Sequence, residues 1–240
     1  MKKTVLASLF LLAAVQFAFS QDTLKAVKGK YTTELNVNPF EGEVSFNNLL
    51  NQIKIRTFIS DQYALRLAFN TDFVKNTNDA ENVYGPSPYK SEQTQKSSTI
   101  GVNFGIEKHF AGTQRLSPYI GAEVFYGNKS SSQENRGKNT SGDMEEREIK
   151  GAWYGSQQGY IERGYHQGGL NLLAGFDFYI AKNFYFGYEM AWGYSTKKYK
   201  DVEVTYKPMP DDGNPLGETD IKEVKFGANL INGIRLGFIF

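Results

Sequence analysis

The sequence predicts an all-β fold, namely an eight-stranded antiparallel transmembrane β-barrel arranged as an up-and-down meander. Three observations lead to this prediction. Long segments alternate between apolar and polar residues, their connections are short on one side and long on the other, and the composition includes 15 Tyr, 18 Phe and 24 Gly. A period of two residues is typical of a strand with two different faces. In a membrane barrel those faces meet lipid and lumen.

The N-terminal segment, residues 1–20, has the pattern of a secretory signal. A basic start precedes an apolar run, and small residues follow at Ala18 and Ser20. The run is shorter than the roughly 20 residues that a spanning helix needs, so a cleaved export signal is the favoured interpretation. Residues 21–29 are then predicted to form a short polar lead, and residues 30–240 the barrel.

The first four strands are predicted at residues 31–40, 47–60, 63–75 and 97–110. The third strand has the clearest alternation. Leu65, Leu67 and Phe69 share one face, and Arg66 and Ala68 lie on the other. A buried helix does not produce this period.

The other four strands are predicted at residues 118–128, 167–180, 184–197 and 224–240. The last one is the longest and ends the chain at Phe240. Its apolar face includes Val224 and Phe226, whereas Lys225 and Gly227 lie on the opposite face. A tilted membrane strand needs about 9 to 11 residues, which this strand exceeds.

The connections between the predicted strands differ in length. Short turns are predicted at residues 61–62, 111–117 and 181–183, and long polar loops at residues 76–96, 129–164 and 201–223. Short periplasmic turns and long extracellular loops are typical of outer-membrane barrels, although the first connection, residues 38–46, is short for its side. The longest loop is predicted to be disordered or mobile because it has few apolar residues. Alternatively, its aromatic residues form a small exposed patch of Trp153, Tyr154, Tyr160 and Tyr165.

Many charged residues fall on the face that is predicted to line the lumen. They are Glu34, Asp72, Glu107, Glu123, Asp177 and Glu189, with Lys54, Arg56, Arg66, Lys225 and Arg235, and His109 lies among them. An eight-stranded barrel is just wide enough to be filled by side chains, and an unpaired charge there costs several kcal/mol. We therefore expect a plugged barrel held by internal ion pairs. A narrow continuous pore is the competing interpretation.

The sequence predicts neither a cofactor nor catalysis. It contains no Cys, which excludes a disulfide framework, and its two histidines, His109 and His166, do not share a strand face with a serine as a lipid-A hydrolase requires. A zinc site is not expected from two distant histidines. The acidic runs at Asp143, Glu145 and Glu146 and at Asp211 and Asp212 are interpreted as solvated charge rather than calcium ligands. A formal net charge of +1 gives no reason to expect a nucleic-acid partner.

With its signal, eight alternating strands, long loops on one side and a terminal aromatic residue, the chain resembles the small OmpA/OmpX-like outer-membrane barrels. Gln21 after Ser20 and the GIRLGFIF ending resemble the versions found in Bacteroidota. The resemblance implies Sec-type export to the outer membrane of a Gram-negative bacterium and contact with outer-membrane lipid. It also implies that the barrel-assembly machinery reads Phe238 and Phe240.

A structural or interaction role in the outer membrane is the function that this resemblance implies. The long loops or the lipid-facing wall would contact a partner, and a larger outer-membrane protein complex is one candidate. A narrow pore for small solutes and a loop-borne adhesin or ligand receptor remain as alternatives.

Overall fold

The computed structural model describes residues 24–38, 45–46, 52–82, 89–138, 144–155, 161–207, 220–230 and 234–240. Within these ranges the chain forms fourteen strands, and none of their residues belongs to a helix that could cross a membrane. The predicted signal, residues 1–20, lies outside the described residues.

The strands fall into two groups along the chain. The first seven are β1 (Tyr31–Asn38), β2 (Ser45–Phe46), β3 (Gln52–Phe58), β4 (Tyr63–Asn82), β5 (Tyr89–His109), β6 (Leu116–Lys138) and β7 (Met144–Lys150). The others are β8 (Ala152–Tyr154), β9 (Ile161–Arg163), β10 (Tyr165–Ala181), β11 (Phe184–Tyr199), β12 (Glu203–Lys207), β13 (Lys222–Leu230) and β14 (Ile234–Ile239).

Eight antiparallel positions form a closed ring in the order β1, β3, β4, β5, β6, β10, β11 and a last position shared by β13 and β14. Both β13 and β14 pair with β11. β14 also pairs with β1, from Thr32 opposite Ile239 to Val37 opposite Ile234, which closes the ring. The predicted eight-stranded antiparallel meander is therefore confirmed.

Three ring strands run well beyond their predicted ends. β4 continues to Asn82 and pairs with β5 without a break from Tyr63 opposite Lys108 to Asn82 opposite Tyr89. The predicted loop at residues 76–96 is therefore wrong for its described residues. Its Thr, Asn, Gln and Ser residues show no apolar alternation, because residues 71–81 are exposed on both faces and the buried residues of the facing strand, such as Thr94 and Gln95, are polar.

The predicted mobile loop at residues 129–164 is also largely strand. β6 extends to Lys138 and pairs with β7, and β8 pairs with β9. Ile149 and Ala152 are buried here, and the Tyr154 N–H donates a hydrogen bond of 2.8 Å to Gln133 Oε1. A few buried apolar residues and backbone pairing thus order a segment whose composition is mostly polar.

The predicted loop at residues 201–223 contains a further strand, β12, which pairs with β7. We name the assembly of β7, β12 and residues 72–82, 89–98 and 130–138 the distal sheet. It continues β4, β5 and β6 past the ring. The predicted last strand, residues 224–240, is present as β13 and β14.

The opposite end of the ring, here named the closed end, carries the short turns. As predicted, brief connections join β3 to β4, β5 to β6 and β10 to β11. The predicted polar lead also lies here, and its Leu24 and Ala26 are buried against Phe58, Tyr185 and Ile239. The Gly29 N–H donates to the Phe58 carbonyl at 2.8 Å. The lead therefore packs into the end of the barrel rather than lying free in solvent.

Candidate functional site in the barrel lumen

The ring strands have an apolar outer face and a polar inner face. Exposed outward residues on the described strands include Ile53, Ile55, Leu67, Phe69, Ile100, Val102, Phe104, Ile106, Ile120, Val124, Leu170, Leu172, Met190 and Trp192. Their inward neighbours are mostly charged, polar or glycine, together with alanines and aromatic residues such as Ala68 and Phe58. Because successive side chains of a strand point to opposite faces, one alternation builds both the wall and the lumen.

Nine of the charged residues predicted to line the lumen meet in one buried network. They are Glu34, Lys54, Arg56, Arg66, Glu107, Glu123, Asp177, Glu189 and Arg235, each between 0% and 6% exposed. They come from β1, β3, β4, β5, β6, β10, β11 and β14, so that every position of the ring contributes. We name this set the lumen network.

Arg56 lies at the centre of the lumen network. Its guanidinium contacts Glu107 Oε2 at 2.8 Å, Asp177 Oδ2 at 2.8 Å and Glu34 Oε1 at 2.9 Å. It also donates hydrogen bonds to the Tyr185 hydroxyl at 2.7 Å and to Thr32 Oγ1 at 3.2 Å. The planar fork of arginine thus links carboxylates from three different strands.

Arg66, which is directly opposite Arg56 in the register of β3 and β4, forms the second link. It donates to Glu189 at 2.8 Å and 3.0 Å, which is a bidentate pair, and to Glu107 Oε1 at 3.0 Å. Its Nε lies 3.1 Å from Glu123 Oε2. Bidentate arginine–carboxylate pairs are among the strongest charged hydrogen bonds in proteins.

Arg235 and Lys54 complete the network. Arg235 lies 3.1 Å from Glu34, 3.0 Å from Asp177 and 3.7 Å from Glu189. Lys54 Nζ lies 3.1 Å from Glu34 and 3.5 Å from Glu189. Four of the five carboxylates, Glu34, Glu107, Asp177 and Glu189, therefore face more than one cation, and Glu123 faces Arg66. These pairs offset the cost of removing the charges from water.

Aromatic side chains and His109 fill the lumen next to the network on the closed side. His109 Nε2 lies 3.1 Å from Glu107 and Nδ1 lies 3.0 Å from Ser117 Oγ. Its ring packs against Phe58 and Tyr119, with centroids 5.1 Å away in each case. The Tyr119 hydroxyl donates to Glu189. Sequence reasoning did not name Tyr119, although the alternation of its strand places it on the inner face.

Two residues predicted to line the lumen lie outside the network. Asp72 is exposed, and Lys225 binds Glu223 Oε1 at 2.9 Å with a side chain that is 70% exposed. Both lie beyond the network on its distal side. Asp72 is six residues past Arg66 on β4, and Lys225 is opposite Ser195 rather than Glu189. Alternation assigned their face but carries no information about their height in the barrel.

Gly237 supplies the space that Tyr185 occupies, and we expect Gly237→Ala to destabilise the barrel. A Cβ at position 237 would lie 1.9 Å from Tyr185 Cζ. Tyr185 is fully buried and donates to Glu34 Oε1 at 2.7 Å, so its ring cannot move aside without breaking the network. Overpacking of this kind costs about 1–3 kcal/mol, measurable by urea unfolding in lipid vesicles.

Gly127→Ala is the matched control for this substitution. A Cβ at position 127, also on the inner face of a ring strand, would come no nearer than 3.9 Å to another atom, the Ile100 carbonyl oxygen. We expect a change within about 0.5 kcal/mol. Equal stability of the two variants would contradict the tight fit of Tyr185.

The remaining residues considered from the sequence lie apart from the lumen network. His166 Nδ1 is 2.9 Å from the Tyr126 hydroxyl on the outer face. Phe238 and Phe240 lie at the closed end with ring centroids 5.0 Å apart. Glu146 pairs with Arg136 at 3.2 Å, while Asp143, Asp211 and Asp212 lie outside the described residues. Among the residues that are described, no group of three His, Asp or Glu side chains is arranged to hold a metal ion.

Comparison with protein-family models and with curated proteins finds no match. Among solved structures, the chain is similar to the N-terminal β-barrel domain of Pseudomonas aeruginosa OprF. The TM-score is 0.36 and the sequence identity 14%, over 90% of this chain and 100% of that one.

Proposed function

We propose that this protein is an integral outer-membrane barrel with a plugged interior, which serves as a structural or interaction component of the cell surface. One observation carries the proposal. A closed ring of strands has an apolar outer wall and a lumen crossed by a buried ion-pair network.

The outer wall supports the membrane location. Soluble monomers rarely expose contiguous apolar patches larger than a few hundred Å², yet large apolar side chains such as Leu67, Phe104, Val124, Leu172 and Trp192 are exposed on neighbouring ring strands. Lipid would cover this surface. A closed ring also leaves no unpaired strand edge in the hydrocarbon, which is the requirement for a spanning sheet.

The lumen network supports the plug. Arg56, Glu107, Asp177 and Arg235 are fully buried and joined by contacts of 3.0 Å or less across the ring. Below them the buried N-terminal lead packs against Phe58 and other core residues at the closed end. An open water path would require these ion pairs to separate.

The distal sheet supports a role in interaction outside the cell. It continues three ring strands beyond the apolar wall, and its residues are mainly Thr, Ser, Asn, Gln and charged side chains. Strands that are polar on both faces are not expected to lie in the hydrocarbon of a membrane. They offer a rigid surface that a partner outside the membrane can contact.

Planar-bilayer recording tests the plugged interior. We expect the purified protein to insert without steady channel openings, because ions cannot pass Arg56 and Arg235 while both remain paired. Incorporation into the same bilayers is checked by heat-modifiable migration of recovered protein.

A general porin reconstituted in the same way is the positive control for this recording. Steady, reproducible openings by the wild-type protein would overturn the plugged interior. They would favour the alternative of a narrow pore for small solutes.

A further inference from the structure

The distal half of the lumen contains a cavity of about 930 Å³ that the lumen network does not fill. We propose that this cavity binds a neutral saccharide, either a single sugar or the end of a short oligosaccharide. The lining of the cavity includes Asn70, Asn103, Phe125 and Asn171, and Glu123 accepts hydrogen bonds from two of these asparagines. We name this space the amide cavity.

Glu123 fixes the orientation of two asparagine amides in the cavity. Asn103 Nδ2 and Asn171 Nδ2 both donate to Glu123 Oε1, at 3.2 Å and 3.0 Å. A carboxylate can only accept hydrogen bonds, so both amides must turn their NH₂ groups toward it. Oδ1 of each asparagine is then the atom that accepts a hydrogen bond from a ligand.

Glycines lie opposite two of the asparagine side chains and give their amides room against the wall of the cavity. Asn171 is directly opposite Gly193, and a Cβ there would lie 2.0 Å from Asn171 Oδ1. Asn70 is opposite Gly101 in the same way, with a distance of 2.2 Å to its Oδ1. Each amide therefore lies flat across the neighbouring strand, which keeps the centre of the cavity open.

A glycine on the facing strand also sets the position of Phe125. It is opposite Gly169, where a Cβ would lie 2.7 Å from two atoms of the Phe125 ring. The ring thus rests with one side on the strand wall and can present the other to the cavity. A fixed aromatic surface of this kind binds an apolar face of a ligand at little cost in conformational entropy.

A sugar combines the two features that this lining recognises. Its hydroxyls donate hydrogen bonds to amide oxygens, and the C–H groups of its ring form an apolar face that can pack on Phe125. The volume also lies within the range of about 300–1,000 Å³ that is usual for small-ligand sites.

The charges near the cavity favour a neutral ligand. Glu123 already faces Arg66 at 3.1 Å, and Lys225 is paired with Glu223 at 2.9 Å. Among the described residues around the cavity, these pairs leave no unpaired charge to attract an anion or a cation. A polyhydroxylated neutral molecule needs none, because it binds through hydrogen bonds and its apolar face.

This proposal rests on the proposed function in one respect, namely that the lumen network closes the inner end of the cavity. Isothermal titration calorimetry tests it on the full barrel in a detergent without a sugar headgroup. The probes are glucose, galactose, N-acetylglucosamine, lactose and maltose. We expect saturable binding of at least one of them, and an affinity about tenfold weaker in Phe125→Leu.

Two further variants make the result specific. Gly127→Leu adds a side chain to the cavity without a close clash, since the nearest atom to its Cβ is at 3.9 Å, and we expect it to abolish binding. Phe104→Leu makes the same change as Phe125→Leu on the exposed outer face and is expected to bind like the wild type. Heat-modifiable migration verifies that each variant is folded.

Failure of the wild type to bind any of the five sugars overturns the proposal. Equal affinity of the wild type, Phe125→Leu and Gly127→Leu also overturns it, because the sugar would then bind elsewhere. Steady openings in a planar bilayer would instead contradict the plugged interior, so the two proposals fail in separate measurements.

Discussion

Replacement of Arg235 by alanine is expected to lower the free energy of unfolding by about 3–5 kcal/mol. Arg235 is fully buried, and it faces Glu34 at 3.1 Å and Asp177 at 3.0 Å. Without it, these carboxylates lose a shared cation and lie in a space that water does not reach. Urea unfolding in lipid vesicles, followed by tryptophan fluorescence, measures the loss.

Arg136→Ala is the control for this substitution. Arg136 also pairs with a carboxylate, Glu146 at 3.2 Å, but its side chain is 50% exposed, so we expect a change of at most about 1 kcal/mol. The double variant Arg235→Met with Glu34→Gln removes opposite charges together and is expected to recover part of the stability. Equal stability of Arg235→Ala and the wild type would contradict the lumen network.

Leu172→Arg is expected to destabilise the protein in lipid by about 2–4 kcal/mol, the cost of an arginine on the lipid face near the middle of a membrane barrel. Leu172 is 58% exposed on the outer wall and lies between Ala122 and Trp192 on the adjacent strands. In a water-soluble barrel the same change would alter stability by only about 0.5 kcal/mol. Unfolding in vesicles distinguishes the two cases.

Asn76→Arg is the matched control, because Asn76 is exposed in the distal sheet rather than on the apolar wall. It is expected to leave stability in lipid unchanged. If Leu172→Arg were as stable as Asn76→Arg, the apolar wall would not face lipid and the proposed membrane location would be wrong.

Alternation alone predicts the ring because its apolar outer wall and its charged lumen impose opposite requirements on successive residues. It finds Arg66 between Leu65 and Leu67, and the structure places these residues on opposite faces. In the distal sheet that contrast disappears, because residues 71–81 are exposed on both faces and buried residues such as Thr94 and Ser131 are polar. The same reasoning therefore ends β4 near Lys75, whereas its pairing with β5 continues to Asn82.

The composition of the lumen network could be predicted only in part. The sign and face of Glu34, Arg56 and Arg235 follow from their strands, but the partners follow from strand register and tilt, which the sequence does not contain. Asp72 and Lys225 were placed in the network because height along the barrel was unknown. The amide cavity was not predicted, because the side chain that lies opposite each of its glycines depends on the strand register.

The joint between β1 and β14 is where the two ends of the chain meet, and it has a consequence for how the barrel forms. Glu34 comes from the first strand and Arg235 from the last, and their ion pair of 3.1 Å crosses that joint. Removing water from these two charges is costly until β1 has paired with β14 and the ion pair has formed. We therefore expect ring closure and dehydration of the lumen to be one cooperative event, because a sheet in which this joint is still open would keep its charged face in water.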